Sequence, residues 1–279
     1  MQRQQGKRPW TFYALAAFFA LFVLFLYGPM SAIYILSFQG PNGGLTFPLD
    51  GMSLHWFAAL FSQSRSGDFS GSFSRSIGLA LIVLLLTVVI SVMAGLAFRR
   101  GFRGAGLLFY AAIASLIMPG LLVGLGIGLL CHFLGIETGW YSTALGSQLT
   151  WTLPFGLLIM FAVFSRFNRA YEEASRDLGA NSRQTLQHVV LPILLPGMIG
   201  VALFGFTLSY DEFPRTVLTV GPQNTLPLEI WAMTTNVTSP ALYALGTVTT
   251  VVSFVVITIS LGSIAIIQRR RARRAGAAG

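Results

Sequence analysis

Long apolar runs separated by short polar intervals make up most of the chain, and the lengths of those runs set the expected architecture. The first extends from about Thr11 to Leu36, behind Arg3, Lys7 and Arg8. It outruns the roughly 7–15 apolar residues of a secretory signal core, so it predicts an uncleaved first span. Gln39 to Gly71 is rich in Gly, Pro, Ser and Asn and predicts an external loop. Within it His55 to Phe61 suits a short interfacial helix, because aromatic rings favour the headgroup level. Ile77 to Phe98 carries no charge and reaches about 33 Å as a helix, enough to cross hydrocarbon.

After Arg99, Arg100 and Arg103, a third run from about Leu107 to Phe133 contains Met118-Pro119-Gly120 and the glycines Gly124, Gly126 and Gly128. Small residues permit close helix contact and the proline frees a carbonyl, which predicts a span facing the bundle interior with its glycines as packing positions. Gly135 to Ser142 reads as a short external turn, and a fourth span runs from about Ala144 to Phe164 with Pro154 inside it. A fifth runs from about Ile193 to Ser209, with Asp211-Glu212 at its outer end. Phe213 to Pro240 forms the last external segment, in which Leu226 to Met233 is apolar enough to dip into the bundle. A sixth span from about Tyr243 to Ile267 ends in the basic tail Arg269 to Arg274, a stop-transfer and anionic-lipid signal.

The one long polar interval, Ala170 to Pro192, has its own pattern. Good helix formers occupy Ala170 to Leu178, with Tyr171, Ala174 and Leu178 on one face and the pairs Arg169/Glu173 and Glu172/Arg176 at i,i+4. Gly179 stands where a helix would stop. Asn181 then caps a second helix, with Gln184 placed to reach back, and Pro192 and Pro196 are expected to disrupt its entry into the membrane.

Composition agrees with a membrane protein: 54% of the 279 residues are hydrophobic and only 10% charged, against about 25% charged in a soluble domain. The net charge of +9 would suggest nucleic acid in a soluble chain, but here its distribution follows topology. Three Lys and Arg precede the first span, three follow the second, four lie in the loop at 165–192 and five in the tail, which is 15 of 18. Only Arg65, Arg75 and Arg215 fall on the other side. The expectation is an all-α membrane protein of six transmembrane helices with both termini cytoplasmic. Its organisation would be residues 1–71 as tail, first span and external loop, then a core at 72–279 holding a cytoplasmic loop at 165–192.

Glu173-Ala174-Ser175, three residues, Gly179, nine residues, Val189-Val190-Leu191-Pro192 resembles the EAA loop of bacterial ABC importer permeases. The usual form is Glu-Ala-Ala, three residues, Gly, nine residues, Ile-any-Leu-Pro; Ser175 and Val189 are mild departures. The resemblance implies the type I permease fold and a bacterial inner-membrane, multi-pass location. Glu172, Glu173, Ala174, Ser175, Asp177, Gly179, Leu191 and Pro192 would form the contact to an ATPase. It also implies the partners: a cytoplasmic ABC ATPase dimer, a second permease subunit either identical or different, an extracytoplasmic solute-binding protein and membrane lipid, with no nucleic acid.

The chemistry present fits a translocation subunit rather than an enzyme. The only lysine is Lys7, so this chain holds no Walker A motif of its own. ATP and Mg are therefore expected on the partner ATPase, with no cofactor in this chain. His55, His132 and His188 share no ligand spacing, Cys131 is alone, and no Ser, His and carboxylate set appears at helical spacing. Carboxylates lie near span ends or in loops, which counts against the alternative of a secondary transporter or channel with no ATPase.

The resemblance extends most closely to the polyamine branch of these permeases, through Phe206-Thr-Leu-Ser-Tyr-Asp-Glu212, Gly221-Pro222, Thr225-Leu-Pro-Leu228 and Ser239-Pro240. It implies a small solute, a polyamine or another cation, with Asp211, Glu212, Pro119 and Tyr210 along the path. Gly120 departs from the pattern: that branch usually has an acidic residue just after this proline. Asp211 and Glu212 can equally be read as a helix-end pair bonded to Arg215.

Overall fold

The computed structural model describes residues 9–62, 68–236 and 239–276; of Asn236 and residues 270–276 it describes the backbone alone. Arg3, Lys7, Arg8, Arg65 and the side chains of the basic tail beyond Arg269 lie outside the described residues. The described chain is helical: α1 (Trp10–Leu36), α2 (His55–Phe61), α3 (Phe69–Arg100), α4 (Ala105–Ile117), α5 (Gly120–Phe133), α6 (Thr143–Ser165), α7 (Ala170–Asp177), α8 (Ser182–Thr185), α9 (Leu191–Tyr210), α10 (Leu226–Asn236) and α11 (Ala241–Gly276). Among the described residues five helical stretches are each long and apolar enough to cross a membrane: α1, α3, α6, Ser182–Tyr210 and Ala241–Arg269. α4 and α5 meet the same test as a bent pair and bring the number to six.

The third apolar run is not one straight span. α4 and α5 meet at 109°, with Met118 extended (φ −70°, ψ 132°) and Pro119 capping α5. The cause is local: a proline disfavours helical backbone in the residue before it and brings no N–H to bond the preceding turn. Pro192 and Pro196 have the opposite outcome to the one expected. Leu186–Val190 forms a single π-helical turn between α8 and α9, and the helix continues from Ser182 to Tyr210. Pro192 follows closely on that π-helical turn, and the wider turn takes up the misfit of a residue that brings no N–H to a continuing helix.

The chain packs as two compact units, Met1–Gly67 with Met233–Val251 and Asp68–Ala232 with Val252–Gly279. In the first, the loop after α1 is tied around the buried side chain of Gln39. Its amide donates to Gly44 O (3.1 Å) and its carbonyl accepts from Asp50 N (2.7 Å). Gly43 is required there, since a Cβ would lie 2.3 Å from the Gln39 side chain. Trp56 Nε1 donates to Gly40 O, and Tyr243 Oη donates to Leu45 O from the start of α11.

The second unit is built on α3, α6 and α9, which pack against one another. Small residues bring the helices together: a Cβ on Gly95 would meet the Phe164 ring at 2.5 Å, and one on Gly156 would meet Ser91 Oγ at 2.2 Å. Near one end Val92, Met160, Phe164, Val190, Leu194 and Val201 form an apolar core. Toward the other, Leu79, Val83, Ala144, Val220 and Leu228 form a second, so Leu228 of α10 does reach into the bundle. Between them several buried polar side chains pair with one another, although Ser91 Oγ finds no partner among the described residues. Thr87 and Thr152 share a hydrogen bond (2.8 Å), Ser209 donates to Gln148 Oε1 (2.5 Å), and Gln148 Nε2 donates to Thr216 (2.9 Å). Such pairing is what polar groups inside a span require.

Candidate functional site

The polar interval folds as two helices with a fixed corner. α7 ends with Gly179 at φ +83°; Gly179 N–H bonds Arg176 O (2.8 Å) and Ala180 N–H bonds Ser175 O (3.0 Å). These are the two bonds of a glycine-terminated helix end. Asn181 then caps α8 in a reciprocal box, its side chain accepting from Gln184 N and its own N–H donating to Gln184 Oε1, both at 2.9 Å. Ser175, at the signature position where alanine is usual, lies 2.9 Å from Thr185 Oγ1 and links the two helices.

The i,i+4 spacing pairs Glu172 with Arg176, but Glu172 instead binds Arg99 at the end of α3 (2.5 Å). Arg99 also stacks over the Phe167 ring (5.0 Å), and Arg169 donates to Arg99 O. The loop is thereby fastened to α3 through its polar face. Its apolar face is turned outward: Tyr171, Ala174 and Leu178 are all exposed, Leu178 by 89%. Glu173 and Asp177 are exposed beside them, Leu191 packs on the apolar core as α9 begins, and Pro192 follows it. An amphipathic helix normally buries its apolar stripe. Here the inward face is the polar one, which composition alone does not reveal.

The second group of expected site residues lies beyond α9. Tyr210 is buried, its ring stacked on Phe206, and its hydroxyl is buried with no hydrogen-bond partner among the described residues. Asp211 is exposed and Pro119 is exposed, whereas Glu212 is buried. Glu212 Oε1 accepts from Arg215 N (3.0 Å) and lies 3.5 Å from its guanidinium. That guanidinium sits 4.4 Å from the centre of the Trp151 ring. A Cβ added to Gly120 would come within 2.9 Å of Arg215 Nη1, and one at Gly124 within 2.7 Å of Arg215 O. Gly120 and Gly124 therefore act as packing positions against Arg215 and Gly128 against Leu218 O, whereas Gly126, expected to pack as well, has nothing within 4 Å of its Cβ position.

Two of the three Arg that break the charge asymmetry are thus neutralised by local partners: Arg215 by Glu212, and Arg75 by Asp68 at 3.0 Å. Asp68 lies outside the spans and caps α3. The Gly71 N–H and the Arg75 guanidinium hold its carboxyl below the usual carboxylate range. Among the described residues no three His, Cys, Asp or Glu side chains are grouped as a metal ion would need.

Comparison with known proteins places the chain, over most of its length, among relatives. The chain is 26% identical over 234 residues to the spermidine/putrescine transport system permease protein PotC of Escherichia coli strain K12, covering 84% of this chain and 87% of the relative. It is 26% identical over 248 residues to the putrescine transport system permease protein PotI of the same strain, covering 86% and 85%. Its fold matches a chain of a bacterial ABC transporter for import of the acidic polysaccharide alginate, with a TM-score of 0.68 at 15% identity over 93% of this chain and 96% of that one. The model of the family described as binding-protein-dependent transport system inner membrane component matches residues 87–273, from within α3 to the last turns of α11, including the whole two-helix loop. The chain belongs to that family, the multi-pass inner-membrane permeases of ABC importers.

Proposed function

We propose that this permease is driven by a separate ATPase that docks on the outward apolar face of α7, with the loop at 165–192 on the cytoplasmic side. The observation that carries this reading is the inversion of α7: Glu172 is bonded inward to Arg99, and Tyr171, Ala174 and Leu178 are left uncovered. A lone exposed Leu needs no explanation, but one at a rigid corner beside Tyr171 is a docking face awaiting its partner. ATP and Mg would be held by the ATPase dimer. A second permease, identical or different, would close the path, and a solute-binding protein would deliver the solute from outside. Binding of ATP would then move the loop and the helices fastened to it as one lever, biasing a two-state bundle. Leu178→Glu tests the contact directly. It should abolish co-purification of the ATPase while the chain still inserts, and undiminished co-purification would refute the docking face.

For the solute, we infer a small cation. The polyamine relatives and the exposed carboxylate of Asp211 support this reading. A second reading, an anion, is favoured by Gly120, which stands where the resemblance would place an acid and so leaves the path one carboxylate short. Uptake of matched cationic, neutral and anionic solutes by the wild type and Asp211→Asn separates them. Loss confined to cations supports the first reading, and a wild type that takes up only the anion establishes the second.

A further inference from the structure

Behind α7, on the side turned away from its apolar face, lies an open cavity of about 370 Å³. Four arginines line it: Arg99 and Arg100 from the end of α3, Arg176 from α7 and Arg183 from α8. One carboxylate, Glu172, offsets them, so the lining carries three net positive charges. The pairing of Arg99 with Glu172 takes up only part of this charge. Arg99 Nη1 is buried with no hydrogen-bond partner among the described residues, and Arg100, Arg176 and Arg183 are exposed at the rim. Ser182 and Thr185 lie in the same wall, the Thr185 hydroxyl already paired with Ser175, and Leu96 and Val190 supply apolar surface where the spans begin.

Clustered guanidinium groups beside a serine hydroxyl offer the recognition chemistry of a phosphate, because the planar fork of Arg matches its oxygens. An unpaired donor buried at such a site is costly until an acceptor reaches it. We propose that this cavity binds a phosphate-bearing anion, which bridges the end of α3 to α7 and α8. Two sources share that chemistry: the headgroup of an anionic phospholipid, whose acyl chains would meet Leu96 and Val190, and free phosphate. A bound anion would add ties to those made by Glu172 and Arg169, so the occupant would stiffen the loop against α3. Binding stands apart from the ATPase reading, since its readout is the bound anion and not transport.

The test uses the purified full chain in detergent, titrated with a fluorescent short-chain phosphatidylglycerol, with the phosphatidylcholine analogue as reference. R176Q/R183Q removes two rim charges. R103Q/R166Q removes two exposed charges outside the cavity and controls for net charge and for the basic tail. Phosphatidylglycerol affinity should fall about thirtyfold in R176Q/R183Q, at the worth of two surface arginines near an anionic headgroup, and by less than about threefold in the control. Displacement of the probe by millimolar inorganic phosphate would identify free phosphate as a sufficient ligand; resistance to it would identify the lipid headgroup. Equal losses in the two double variants, or absence of both phosphatidylglycerol and phosphate binding by the wild type, would overturn the proposal.

Discussion

Arg99 and Glu172, 73 residues apart in sequence, meet at 2.5 Å and join the last turn of α3 to the first turn of α7. Both side chains are 16% exposed, so the pair is largely withdrawn from water while keeping a solvent edge. α3 is also the helix against which α6 and α9 pack, so the pair ties the loop to the centre of the bundle.

Glu172→Ala should therefore loosen the loop without unfolding the spans. A hydrogen bond to a charged group contributes about 1.5–3 kcal/mol, and the solvent edge places this one toward the lower figure. Limited proteolysis within 166–185 should quicken severalfold, and coupled uptake should fall at an unchanged membrane level. Wild-type proteolysis in Glu172→Ala would show that the ion pair does not hold the loop.

The corner of the loop was readable from sequence because its signals are local: a glycine that must adopt positive φ, then an Asn with a Gln three residues on. Arg99 with Glu172 was not readable, since i,i+4 spacing offers Arg176 as an equally good partner and only the packing of α3 against the loop decides between them. The 109° break at Pro119 was half visible. A proline in an apolar run signals a disturbance, but Pro154 and Pro196 sit inside continuous helices, so sequence gave no means of ranking the three. Burial of Glu212 and Arg215 was likewise hidden, because a charged pair next to a span end looks the same whether it faces water or the Trp151 ring.

Gly179 offers a cleaner separation of backbone from packing. Nothing lies within 4 Å of where its Cβ would be, so the only obstacle to substitution is φ +83°. A β-branched residue there costs about 1–2 kcal/mol, whereas Asn visits this conformation readily. Gly179→Val should reduce solute uptake severalfold and Gly179→Asn should leave it near wild type, both at normal expression. Equal activity of the two variants would remove the conformational argument.

Asp68 predicts a pH dependence at the other end of α3. Its carboxyl titrates below the usual range because the charged form accepts from Gly71 N (2.9 Å) and Arg75 (3.0 Å). A depressed folded-state value means that the stabilisation is fully present above the unfolded value near 3.9, and is lost as pH falls through the lower folded value. Hydrogen exchange of Gly71 and Ser72, corrected for intrinsic rates, should show constant protection from pH 7 to about pH 4 and faster opening below. Asp68→Asn should flatten that profile; a wild type already flat to pH 2 would discount the cap.

Glu212 and Arg215 make the strongest claim on stability. The carboxylate is 6% exposed and the guanidinium 5%, and the cation is further held over Trp151. Removing one member strands the other charge in a site closed to water, which costs about 3–5 kcal/mol where burial is this complete. Removing both charges lifts that penalty, since no charge is then left without a partner. Glu212→Gln should thus lower the thermal midpoint of the detergent-solubilised chain by several degrees, and adding Arg215→Met should recover most of the loss. A role in contacting solute alone predicts a different pattern: uptake would fall in Glu212→Gln with the midpoint unchanged, and Arg215→Met would rescue nothing.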